Sequence, residues 1–96
     1  MSTNNQGIIA IFDVPGMTAN QYDQVMQNLE SAGAGAPQGR LNHMAAAKDG
    51  GWLVVDMWES GELLAQFAQT LMPILQQAGV TPPQPQVYPV HNIVSR

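Results

Sequence analysis

The chain has 96 residues, 45% of them hydrophobic and only 10% charged, which suits one domain with one core. A net charge of −4 with three Lys or Arg residues lacks the basic footprint of a nucleic-acid binder and offers nothing to an acidic membrane surface. Cysteine is absent, which excludes a disulfide framework, a thiol nucleophile and a thiolate metal site.

Residues 1–6 are polar and read as a disordered tail of a single domain spanning 1–96. The opening MSTNNQG lacks the basic and apolar regions of a signal peptide, and no apolar run reaches membrane-span length, so a cytoplasmic protein is expected. Gly7 to Val14, GIIAIFDV, is β-branched and aromatic and stops at Pro15-Gly16, which predicts a strand and a turn. Thr18 opens a helix. Gln21, three residues on, completes a capping box, and Met17 can staple against Tyr22. Tyr22, Val25, Met26, Leu29 and Ala32 give that helix one apolar stripe, and Gly33 stops it. The loop GAGAPQG follows a helix and lacks the Gly-Lys-Ser/Thr ending of a phosphate cradle.

Arg40 to Glu59 reads as a β-hairpin about Lys48-Asp49-Gly50-Gly51. Asp-Gly favours a two-residue turn whose twist matches the paired strands. With Asp49-Gly50 at its centre, Arg40 lies opposite Glu59 and His43 opposite Asp56, in a non-hydrogen-bonded pair where side chains stand closest. With Gly50-Gly51 at the centre, His43 would face Trp58. Both registers put His43, Asp56 and Trp58 on one face. Ser60 then caps a second helix, with Glu62 in its first turn and Leu64, Phe67, Ala68, Leu71, Leu75 and Ala78 as its stripe. Pro73 is expected to kink or restart this helix, and Gly79 to end it. Gln86 to Val94 reads as a last strand, demoted to an edge by Pro89.

The order β-α-β-β-α-β predicts an α+β, ferredoxin-like fold: a four-stranded antiparallel sheet with two helices on one face. The first and third strands take the centre. Both faces of those strands are apolar: Trp52, Val54 and Trp58 on one side of the third, Leu53, Val55 and Met57 on the other. Two helices cover one face only. The second face, with so few charges on the chain, predicts a homodimer.

Trp58-Glu59-Ser60 between the third strand and second helix, followed by Phe67, resembles the antibiotic-biosynthesis-monooxygenase-like group of the dimeric α/β-barrel superfamily. Phe12-Asp13-Val14-Pro15-Gly16-Met17, His43 and Gly51-Trp52 through Val54-Val55-Asp56 are similar to a branch of small uncharacterised bacterial proteins. The resemblance implies two sheets packed as a barrel, with a pocket in each subunit between its own sheet and helices. It also implies that Trp58, and with it Asp56 and His43, points into that pocket. Haem-degrading relatives carry a histidine on the second helix, where this chain has Gln66, Phe67, Ala68 and Gln69, so no haem is expected.

These residues define the candidate site. His43 and Asp56 are the candidate catalytic pair, a base with the carboxylate that orients it, or else a cross-strand bond that holds the hairpin. Trp58, Tyr22 and Phe67 are candidate walls for a substrate, and His91 on the last strand is a further contact. Arg40 is expected to pair with Glu59 at the surface. The two histidines and Asp56 lack metal-ligand spacing, so no metal or cofactor is expected. The function that follows is a cofactor-independent, monooxygenase-like enzyme acting on a small apolar or aromatic molecule. The alternative is a non-catalytic dimer that binds a small ligand or is purely structural.

Overall fold

The computed structural model describes residues 7–96; the tail expected over residues 1–6 lies outside them. Six elements follow in the order β1 (Ile8–Pro15), α1 (Ala19–Ser31), β2 (Arg40–Lys48), β3 (Gly51–Trp58), α2 (Gly61–Gln77) and β4 (Gln86–Pro89). They build a four-stranded sheet ordered β2-β3-β1-β4, antiparallel throughout. This is the ferredoxin-like arrangement expected from the element order, with β1 and β3 central.

Local chemistry explains each boundary. Thr18 caps α1: its hydroxyl accepts from the Gln21 backbone N–H at 3.1 Å, and the Gln21 side chain accepts from the Thr18 N–H at 3.0 Å. At the other end Gly33 takes a left-handed φ of 74°, and Ala34 N–H returns to the Leu29 carbonyl at 2.8 Å. Ser60 caps α2 by accepting from the Leu63 N–H at 3.2 Å. The break or kink expected at Pro73 does not divide α2, which runs as one element across it. What proline removes there is a single donor, and the apolar stripe on both sides still holds the helix to the sheet.

The hairpin turn centres on Asp49-Gly50, with Lys48 opposite Gly51. Gly50 has φ 73°, the conformation that makes glycine the fitting residue there. His43 therefore pairs with Asp56, Ala45 with Val54 and Ala47 with Trp52. On the β1 side Ala10 pairs with Asp56 and Phe12 with Val54. One sheet face thus carries His43, Asp56, Trp58, Ala10, Phe12 and Val14, and both helices pack on it. Ala10, Val14 and Trp58 share a core with Val25 and Leu29 from α1 and Leu64, Phe67, Ile74 and Leu75 from α2. Trp58 is fully enclosed.

The opposite sheet face has no layer over it among the described residues. It presents Ile9, Ile11, Leu53, Val55, Met57 and the exposed Met44 and Tyr88. At one margin Lys48 Nζ meets the Asp13 carboxylate at 3.0 Å, a half-exposed pair that sequence reading missed.

Two expectations for the strands are corrected. β4 covers only Gln86–Pro89, not Gln86 to Val94: its pairing with β1 ends at Ile8↔Pro89, and a last backbone bond joins Val90 N–H to the Gly7 carbonyl. The β2–β3 register also departs from the expected one, slipping by one residue between Arg40 and Asn42.

Capping predicts a measurable effect. Thr18→Ala removes the hydroxyl that closes the box and should lower stability by about 1 kcal/mol. Urea denaturation should show a lower midpoint with an unchanged slope; an unmoved midpoint would mean that the cap contributes nothing.

Candidate functional site

Four side chains from three elements form one continuous hydrogen-bonded chain on the helix-facing side of the sheet. The Trp58 indole N–H donates to Asp56 Oδ2 at 3.1 Å. Asp56 Oδ1 lies 2.6 Å from His43 Nδ1. His43 Nε2 lies 2.7 Å from the Tyr22 hydroxyl. Asp56 is buried at 4% exposure and His43 is at 20%. A carboxylate in such a place is stable only when both oxygens are hydrogen-bonded, and here both are.

The chain also settles who donates. Asp56 accepts from Trp58 with one oxygen and faces Nδ1 with the other, so Nδ1 carries the hydrogen. In the neutral ring Nε2 is then the acceptor, and the Tyr22 O–H donates to it. The tyrosine is held from behind: its ring stacks on Trp52 at 5.3 Å between centroids and lies nearly parallel to the His43 ring, at 4°. Trp52 is itself an oddity, since its indole N–H is buried and has no partner among the described residues.

Burial pushes the Tyr22 phenol above its ordinary 10.0; Arg40 opposes this, and Asp56 and Asp23 add to it. The phenol is therefore a protonated donor at neutral pH.

A cavity of about 50 Å³ adjoins the chain. Tyr22, His43, Asp56 and Arg40 form its polar side, and Phe12, Val54, Phe67 and Leu71 are among its apolar walls. Space of this size admits a few waters, against roughly 300 Å³ or more for a typical small-molecule site. A second depression of about 270 Å³ lies between α2 and Pro82–Pro85. Phe12, Leu71, Leu75 and Pro83 wall both spaces.

Arg40 is where the sequence misled most. It does not lie opposite Glu59. The β2–β3 register shifts between Arg40 and Asn42, so that Arg40 stands opposite Trp58 and Asn42 opposite Met57. Leu41 is the extra residue of a bulge, and one inserted residue re-aims its neighbour to the other face. Arg40 consequently turns toward the cavity. Its Nη2 donates to the Gly35 carbonyl at 3.1 Å, and its guanidinium lies 5.8 Å from the centre of the Phe67 ring.

The structure thus places His43, Asp56, Tyr22 and Phe67 around one cavity. Trp58 is differently placed from the expected wall: it is enclosed behind Asp56, spends its N–H there, and packs on Phe67 at 5.4 Å. His91 lies beyond β4, exposed, and is not among the side chains that line the cavity. Among the described residues no three His, Asp or Glu side chains gather as a metal site, and no helix is long and apolar enough to cross a membrane.

Comparison with known proteins rests on shape. No protein-family model and no curated protein matches the sequence. Several solved structures match the fold over nearly the whole chain. A monooxygenase of Streptomyces coelicolor, solved in complex with nanaomycin D, has a TM-score of 0.65 at 13% identity, over 96% of this chain and 94% of that one. SnoaB, a cofactor-independent oxygenase from Streptomyces nogalater, has a TM-score of 0.62 at 9% identity, over 93% and 96%. A conserved protein from Methanosarcina mazei has a TM-score of 0.53 at 10% identity, over 88% and 91%. The chain shares the ferredoxin-like fold of these solved structures. At these identities the likeness concerns fold, and function has to be argued from the site.

The raised phenol gives a pH test. Folded Tyr22 keeps its proton to higher pH than the unfolded chain does, so its share of stability is full below 10.0 and is lost as pH rises through the folded value. Denaturation across an alkaline pH series should show a shallower loss of stability in Tyr22→Phe than in wild type. Superimposable slopes would show that the burial does not hold the proton.

Proposed function

We propose that this protein is a cofactor-independent, monooxygenase-like enzyme that deprotonates a small apolar or aromatic molecule between its sheet and helices. The observation that carries it is the Asp56–His43–Tyr22 chain ending at an apolar-walled cavity. Oxygenation without a cofactor needs a substrate that becomes electron-rich once it loses a proton. The minimum equipment is a sheltered proton acceptor, and the Asp56–His43–Tyr22 chain supplies one. An activated methylene, or the hydroxyl of its enol form, gives its proton to that acceptor, and the resulting carbanion then reduces dioxygen. One oxygen atom ends as the new carbonyl and the other leaves as water. The nearby Arg40 guanidinium offsets the negative charge while it exists.

Room for a substrate has to open. Met17 and Met26 line the cavity with unbranched, adaptable side chains, and the larger space beside α2 lies just across Leu71 and Pro83. The similarly folded Streptomyces coelicolor monooxygenase was solved in complex with nanaomycin D, a precedent for a small-molecule ligand on this fold.

One observation favours the alternative of a non-catalytic dimer: every link of the polar chain is satisfied internally, as in a structural network. Oxygen uptake decides between the two. With dithranol, an anthrone that loses a methylene proton readily, wild type should accelerate oxygen consumption. His43→Ala should lower the rate at least roughly a hundredfold, the scale of a lost general base. No acceleration by wild type would leave the non-catalytic reading.

The homodimer belongs to the same proposal. The uncovered sheet face bearing Leu53, Val55 and Met57 continues into Met44 and Ala46 of β2 and Ile9 and Ile11 of β1, with Asn42, Lys48 and Asp13 toward its margins. A second copy laid on it should bury at least ~1,200 Å² in total. Light scattering should give about twice the 10.3 kDa chain mass at micromolar concentration, and Val55→Glu should split the dimer or unfold it. A wild-type mass at the single-chain value would refute the assembly.

A further inference from the structure

His43 has no nitrogen left for a ligand. Nδ1 is committed to Asp56 at 2.6 Å and Nε2 to the Tyr22 hydroxyl at 2.7 Å. Both Asp56 oxygens are taken as well, one by His43 and one by Trp58. The Tyr22 oxygen differs: it spends its single hydrogen on Nε2 and keeps its acceptor capacity. We infer that Tyr22 Oη, not His43, is the atom that receives the ligand's proton, and that His43 and Asp56 act through it. This rests on the proton-abstraction reading above and deepens it.

The transfer balances without any further reagent. The ligand's X–H bond breaks, its electron pair stays on X, and the proton bonds to Tyr22 Oη. In the same movement the proton of Tyr22 passes to His43 Nε2. Tyr22 ends neutral, His43 ends as an imidazolium against the Asp56 carboxylate, and the anion X⁻ remains in the cavity that Arg40 also lines. A free tyrosinate is never formed, which matters because burial holds the phenol protonated. Tyr22 is then the catalytic residue, while His43 and Asp56 position it and store the proton.

The arrangement selects ligand chemistry. Oη in this state offers only lone pairs, so it recognises a group that brings its own acidic hydrogen. An enol or phenol hydroxyl qualifies; an ether oxygen in the same place meets a lone pair and is rejected. The ligand class assigned to this end of the cavity is therefore an apolar molecule with an acidic O–H donor. Position supports the assignment, since Tyr22 is the link of the chain contributed by α1. Its ring is clamped by Trp52 on one side and lies parallel to His43, so the hydroxyl has one place to be.

The test uses naphthol and its methyl ether as probes, titrated without oxygen into wild type, Tyr22→Phe and His43→Gln, with binding read by tryptophan fluorescence. Wild type should prefer naphthol by roughly tenfold, the scale of one hydrogen bond to a buried group. Tyr22→Phe should lose that preference, and His43→Gln should keep it. Nitrogen NMR of the wild-type imidazole should show Nε2 gaining a proton as naphthol binds. No preference in wild type, including failure of both probes to bind, overturns the inference, as does a preference that survives in Tyr22→Phe or vanishes only in His43→Gln. Circular dichroism of each variant establishes that it is folded, and the NMR measurement on wild type stands independently of both substitutions. The two proposals fail separately. An intact donor preference with no oxygen uptake from dithranol sinks the oxygenase reading alone. Oxygen uptake that is unchanged in Tyr22→Phe sinks the Tyr22 assignment alone.

Discussion

A single buried carboxylate organises the interior. Asp56 sits in the middle of β3, between Ala10 on β1 and His43 on β2, at 4% exposure. An unpaired charge there would be costly enough to ionise differently or to unfold the site. Its two oxygens need two donors. One donor is two residues along the same strand, which fixes Trp58 at the bottom of the core. The other is across the hairpin, which fixes the tautomer of His43 and so calls for a third donor, Tyr22, from α1. One acidic residue in the sheet thereby determines the placement of three aromatic rings and ties a helix to two strands.

The bulge at Leu41 is the second determinant. Without it, Arg40 would sit outside, opposite Glu59, and the cavity would have no permanent positive charge. With it, one of only three Lys or Arg residues in the chain is directed inward, close to the phenol and over Phe67. Gly39, immediately before, has φ 91°, and its carbonyl accepts from the Glu59 N–H at 2.7 Å. The hairpin therefore stays closed at the position where its register slips.

How much of this was readable beforehand follows from what each feature depends on. The turn at Asp49-Gly50 is a local matter of backbone preference, and the His43–Asp56 pairing follows from it by counting. Helix caps at Thr18 and Ser60 are equally local. The element order then leaves little choice of topology. The link from Tyr22 to His43 was not readable, because it depends on how α1 rotates over the sheet, and an apolar stripe fixes that only to within a residue. Arg40 was misplaced for a related reason: alternation is a counting rule, and a bulge resets the count without any mark in the residues around it. Trp58 was expected at the cavity wall because it shares a face with Asp56 and His43. Sharing a face does not say which neighbour consumes the polar edge of the ring. His91 falls outside β4 because its position depends on where pairing with β1 ends, which no local signal beyond Pro89 indicates.

The short last strand bears on how this sheet meets others of its kind. An edge strand is an open row of donors and acceptors on which another chain can build. β4 is four residues long, follows Pro85 and ends at Pro89, so its outer rim is short and lacks one of its donors. The opposite rim, β2, is longer but bends at its bulge and finishes at Lys48, which is engaged with Asp13. Growth along the hydrogen-bonding direction is thus discouraged at both ends of the sheet. A protein with so few charged residues has few other defences against fibrous stacking, so the blunted rims carry most of its protection against edge-to-edge growth.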